Sequence, residues 1–193
     1  GQDETARAAL FHATVDMWAV GEGRIVRPSF QQIMLLTELP FLPPGTLREL
    51  LMRPWPEEDT PDRKRLQEIQ VPEERIMETL CLVKIENLLK GFGGLDTRQH
   101  WENTLPLVDQ QRIVIARVLL AKPRFAFLDR PSTTLHPEQV DLVLGMLREH
   151  EITYVTFEDE DSSGNLERYD GVLELRDGGV WKYRTIRAGQ IIK

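Results

Sequence analysis

At 193 residues the chain is long enough to bury one substantial core, and with 41% hydrophobic and 28% charged residues it has the composition of an ordinary globular domain. The net charge of −7 argues against binding to a nucleic-acid backbone as the main activity. A single cysteine, Cys81, excludes an intrachain disulfide and a multi-cysteine metal site, and no run of about 20 apolar residues offers a membrane span.

In chain order, residues 1–18 place Ala8, Ala9, Leu10, Ala13 and Met17 on a partly apolar helical face, with Asp3 and Glu4 at the acidic start that a helix dipole favours. Residues 32–37 read as a core strand. Thr46 followed three residues later by Glu49 is a capping box, so a helix is expected to start there. Residues 54–63 form a Pro-rich acidic loop. Residues 72–89 predict one helix, with Pro72 in its first turn, Ile76, Leu80 and Val83 at helical spacing, and Cys81 in the core. Residues 91–94 supply three glycines for a turn.

The most informative stretch is 100–138. A helix is expected over 109–121, with Asp109 near its start as a cap. Lys122-Pro123 ends it, and the apolar run 125–128 closes on Asp129. A short buried strand ending on an acid, before a Pro/Ser/Thr turn and another helix, points to a parallel strand that carries a functional carboxylate at its carboxyl end. Residues 138–150 form an amphipathic helix with Val140, Val143, Leu144 and Leu147 on one face. Residues 152–157 read as the next core strand, followed by the solvated acidic run Glu158 to Asp161. Asp177-Gly178-Gly179 between apolar segments predicts a β-hairpin, and residues 185–193 a short tail.

The frame Gln110-Gln111-Arg112, Ala116-Arg117, Leu119-Leu120, Lys122-Pro123 and Phe127-Leu128-Asp129 resembles the ATP-binding cassette (ABC) ATPases, from their signature helix to their Walker B strand. The lead-in from Trp101 to Leu105 is similar to the exporter branch that includes the peroxisomal fatty-acyl transporters, and the resemblance extends over nearly the whole chain. It implies an α/β fold of the P-loop NTPase type: a mainly parallel core sheet (residues 1–44 and 106–193), a mainly helical subdomain (45–105) and a C-terminal β-hairpin. The family's first strands, which precede the phosphate loop, are absent from the 193 residues.

Most positions that the resemblance marks as functional hold other residues. In the register of the phosphate loop stand Gly1 to Ala8. Gly1 and Arg7 keep one glycine and the positive charge, but Asp3 and Glu4 bring carboxylates, Ala6 replaces a glycine and Ala8 lacks the hydroxyl that would meet magnesium. Glu38 occupies the Q-loop glutamine's place. Pro106 and Val108 replace the serine and a glycine of the signature, whereas Asp109 and Gln110 remain compatible with it. Asp129 matches the Walker B aspartate and is the candidate metal ligand. The general-base position after it holds Arg130, which cannot take a proton, so no catalytic residue is assigned. His136 stands at the D-loop aspartate and Asp159 at the switch histidine.

The candidate cofactor-binding residues are therefore Gly1, Arg7 and Gln110. The main expectation is a degenerate, catalytically inactive domain, a scaffold or non-catalytic partner that needs no cofactor. The alternative is an ATP-binding subunit of an ABC exporter, using ATP and magnesium to drive transmembrane transport. A third reading gives the old cleft to a peptide or basic partner drawn to Asp3, Glu4 and Asp159. The expected partners are a protein or an upstream segment that supplies the missing strands, and a transmembrane subunit, but no nucleic acid. The expected location is intracellular, peripheral to a membrane.

Overall fold

The computed structural model describes residues 4–14, 22–29, 32–52, 71–158 and 165–192. The first half holds α1 (Glu4–Thr14), β1 (Ile33–Leu36), β2 (Gly45–Thr46), α2 (Leu47–Met52), α3 (Glu73–Leu82), α4 (Asn87–Phe92) and β3 (Arg98–Gln99). After these come α5 (Trp101–Thr104), α6 (Leu107–Ala121), β4 (Phe125–Asp129), α7 (Pro131–Thr134), α8 (Pro137–Glu149) and β5 (Thr153–Phe157). A 3-10 turn (Leu166–Arg168) leads to β6 (Gly171–Arg176), β7 (Val180–Arg187) and β8 (Gln190–Ile192).

The architecture is α/β. A parallel sheet runs β1-β4-β5, with Ile33 opposite Phe125 and Phe125 opposite Thr153. Successive side chains of β1 and β4 point to opposite faces. Ile33, Leu35 and Phe127 join Phe11 of α1 and Phe157 in one cluster, where Phe11 meets Phe157 edge-on at 4.9 Å. Met34, Ala126 and Leu128 join the larger core built with α2, α3, α6 and α8. Both faces are thus covered, which explains why these strands read as continuous apolar runs. Leu80 and Leu147 are fully enclosed in the larger core, each contributing about 1.5–3 kcal/mol by burial.

Helix α6 is the axis of that core. Gln111 and every residue from Ile113 to Leu120 are buried, so the helix is packed all round. It starts two residues before the expected Asp109, because the Pro106 carbonyl accepts the Asp109 and Gln110 N–H groups at 3.0 and 3.1 Å. The N-cap is Pro106 and no side chain caps it; Asp109 instead pairs with Arg112 at 3.2 Å, which corrects its expected role. Lys122, in the left-handed region at φ 46°, ends the helix before Pro123.

Three further expectations need correction. The helix over 72–89 is two helices, separated by a turn at Lys84 (φ 60°). There Ile85 N–H reaches back to Leu80 O (2.9 Å) and Lys84 N–H to Cys81 O (3.0 Å), a Schellman closure that tucks Ile85 into the core. Cys81 is exposed, since its neighbour Leu80 takes the inward face. Residues 185–192 are no tail: β7 runs to Arg187, turns through Ala188 and Gly189, and pairs with β8, making a three-stranded antiparallel sheet. The hairpin over Asp177-Gly178-Gly179 is present, with Gly178 and Gly179 at φ 73° and 75°. The loop over 54–63 lies outside the described residues.

Candidate functional site

The carboxyl ends of β1, β4 and β5 lie side by side because the three strands are parallel and in register. They deliver Thr37-Glu38, Asp129-Arg130 and Glu158 to one edge of the sheet, the place where open α/β sheets bind their ligands. The Thr37 hydroxyl donates to Leu39 O at 2.9 Å and fixes the turn that carries Glu38.

At this edge Arg130 Nη2 meets Glu38 Oε2 at 2.7 Å, and its Nε lies 3.8 Å from Asp129 Oδ1. All three side chains are about two-thirds to three-quarters buried. Arg130 adopts left-handed backbone angles, φ 44° and ψ 54°, a conformation that costs a non-glycine residue roughly 1–2 kcal/mol. Its N–H donates to Phe157 O at 2.9 Å, so the residue bonds to the end of β5 through its backbone and to the end of β1 through its side chain. Ser132 Oγ, on α7, donates to the Glu158 carboxylate.

Behind the ion pair lies a cavity of about 30 Å³, lined by Glu38, Asp129, Gln111 and Thr134 together with apolar side chains such as Leu128 and Val114. That is room for about one water. Gln111 is only 8% exposed; its amide donates to Thr134 Oγ1 and towards Glu38 O, while its Oε1 accepts no hydrogen bond from the protein. The polar edge therefore offers a guanidinium, two carboxylates turned to it, and one buried amide oxygen. Among the described residues the acceptors beside Asp129 face the guanidinium, and the third carboxylate, Glu158, accepts from the Ser132 hydroxyl.

The other candidate residues take different places. Gly1, Asp3 and Asp159 lie outside the described residues. Arg7 is 7% exposed on α1, engaged with its surroundings, on the helix that seats Phe11 against Phe157. Ala8 is exposed. The Gln110 amide donates to Glu102 O at 3.1 Å and Leu105 O at 2.9 Å, so it closes the end of α5. Trp101, fully buried, donates its Nε1–H to Gly45 O at 2.8 Å and holds the same lead-in against β2. His136 opens α8, its backbone N–H donating to Gln139 Oε1 at 3.0 Å. The pairing of Glu38 with Arg130 is the feature that sequence reasoning missed. Its signal was an acid and a base standing where the resembled family has neutral glutamine and acidic glutamate.

The helical side is braced by one guanidinium. Arg48 of α2 meets Asp96 at 2.7 and 3.0 Å and Glu73 of α3 at 3.0 Å. Its hydrogen bonds hold the Asp96 carboxyl below the usual carboxylate range and raise Arg48 above an already high value.

No protein-family model matches the chain. Among curated proteins it is similar to an ABC transporter ATP-binding protein of Synechocystis, 29% identical over 186 residues that cover 96% of this chain and 26% of that protein. It is similar to ATP-binding cassette sub-family D member 3 of Mus musculus, 25% identical over 96% of this chain and 27% of that protein. An ABC transporter ATP-binding protein of Haemophilus influenzae is 26% identical over 94% of this chain and 28% of its own length. The chain thus spans about a quarter of the length of the curated relatives it matches. The resemblance drawn from residues 100–138 holds across the chain: its relatives are ABC transporter ATP-binding proteins.

Proposed function

We propose that the chain is an ABC ATPase-like domain of the P-loop type whose hydrolytic site is closed, and that it serves as a non-catalytic, structural member of a transporter-related assembly. The observation that carries this reading is the 2.7 Å pair between Glu38 and Arg130. At the position where the resembled family holds its general base, the guanidinium stays protonated and is committed to a carboxylate.

The residues present do not fit a magnesium nucleotide. An ion held by Asp129 beside Glu38 would compete with Arg130 for the same two carboxylates. Gln110, a candidate for nucleotide contact, spends its amide on two backbone carbonyls.

In this reading residues 1–44 and 106–193 form the α/β core and 45–105 the mainly helical subdomain. Among the described residues β5 pairs on one side only, and Thr153 and Val155 on it are exposed. That edge suits a further strand, from upstream sequence or from a partner chain. No helix among the described residues is long and apolar enough to cross a membrane. The domain would work inside the cell beside a transmembrane subunit, with no part in nucleic-acid binding.

A second reading is favoured by the relatives, which are named as ABC transporter ATP-binding proteins. It makes the chain an ATP-binding exporter subunit that couples hydrolysis to transport, with ATP and magnesium as cofactors. Thermal unfolding with ATP, with and without magnesium, separates the two. Ligand at about 100 times its Kd would stabilise the chain by about 2.7 kcal/mol. The closed-site reading expects no shift.

A further inference from the structure

The geometry points to Arg130 as a tethered cation: its guanidinium takes the position between Glu38 and Asp129 that a divalent ion would otherwise take, so that this edge of the sheet is complete without a metal. This inference rests on the closed-site reading above and deepens it.

Two carboxylates from neighbouring strand ends converge on one guanidinium, Glu38 at 2.7 Å and Asp129 at 3.8 Å. Without a positive charge between them they would repel each other in a half-buried setting. An arginine side chain does not lose its proton, and its fixed fork suits a carboxylate better than a lysine would. Being covalently attached, it also holds the position at high effective concentration against ions from solution.

A second, independent feature points to the same place. Gln111 is more than nine-tenths buried, lines the cavity beside Glu38 and Asp129, and has an Oε1 that accepts nothing from the protein. Thr134 adds a hydroxyl. Stripped of the guanidinium, the edge presents two carboxylates, an amide oxygen and a hydroxyl, the hard oxygen set that suits magnesium or manganese. In the native chain the cation is Arg130 itself.

The test uses manganese alone, without nucleotide, on the 193-residue chain. Free Mn²⁺ measured by electron paramagnetic resonance reports binding, and thermal unfolding reports its effect. The native chain should neither bind Mn²⁺ at this edge nor be stabilised by it at millimolar concentration. Arg130→Gln should unfold at a lower temperature, gain at least about tenfold in Mn²⁺ affinity and recover its midpoint with the ion. Adding Asp129→Asn to it should abolish the gain, and Arg130→Lys should remain unresponsive. Should Arg130→Gln not fold, the native chain still decides: paramagnetic broadening of the Glu38 and Asp129 amides by Mn²⁺ would overturn the assignment, and their persistence would support it. A folded Arg130→Gln that gains no affinity would overturn it too. Failure of the closed-site reading would show instead as binding of MgATP, which this metal-only experiment does not contain.

Discussion

Replacing Gln110 by methionine removes its amide and keeps most of its volume. The amide donates to Glu102 O at 3.1 Å and to Leu105 O at 2.9 Å, closing α5, a helix of four residues with little else to satisfy its last carbonyls. A hydrogen bond of this kind is worth about 1 kcal/mol net, and a carbonyl left buried without a donor costs about 1–3 kcal/mol. The bond to Glu102 is exposed, so water replaces it cheaply; the bond to Leu105 is half-buried and water replaces it only in part. The loss should total about 1–2 kcal/mol, or roughly 2–8 °C in Tm for a chain of this size. Urea unfolding followed by circular dichroism measures it. Gln110→Glu should cost at least as much at neutral pH, because a carboxylate would face two carbonyl oxygens. It should recover part of the deficit relative to the native chain once protonated, when it regains a donor. A Gln110→Met chain as stable as the native one would refute the reasoning, since it would leave the amide free for a ligand.

Trp101→Phe should destabilise by about 2–4 kcal/mol, from the lost hydrogen bond to Gly45 O at 2.8 Å and the space left in a fully buried site, read by the same urea assay. Arg130→Glu places a carboxylate where the resembled family has its general base, a group worth roughly 10²–10⁴-fold in rate; the closed-site reading still expects no ATP turnover above a matched blank. The Asp96 carboxyl lies below its ordinary range because Arg48 donates to it. A carboxylate whose folded pKa is depressed adds stability above its unfolded value of about 3.9 and loses it as pH falls through the folded one. Asp96→Asn should therefore be less stable than the native chain at neutral pH, with the gap closing as pH drops below about 4; a gap that widened in acid would contradict the pairing.

What the sequence made legible follows from how locally each feature is encoded. Strand β4 was readable because Phe125 to Leu128 is a continuous apolar run, as a sheet covered on both faces requires. The capping box was readable because its partners are three residues apart: Thr46 N–H donates to Glu49 Oε2 at 2.8 Å, and Glu49 N–H to Thr46 Oγ1 at 3.0 Å. The Asp177-Gly178-Gly179 turn carried its own signal in two glycines with positive φ. The break after α3 did not, because the left-handed residue there is a lysine, Lys84, held by tertiary packing of Ile85. Strand β8 was missed because only half of its turn is signalled: Gly189 sits at φ 73°, but Ala188 before it takes φ 49°, and alanine announces no such conformation. At the site, Glu38 and Arg130 each read as a departure from a pattern. That the two departures compensate each other depends on the register of β1 against β4, which no local signal carries.

If the Glu38–Arg130 pair closes the edge of the sheet, the chain takes up no nucleotide there. Isothermal titration calorimetry of the 193-residue chain with MgATP tests it most directly. No heat of binding is expected in the micromolar range. A saturable isotherm with a micromolar Kd would contradict it, and would return the chain to the ATP-binding role that its relatives' names describe.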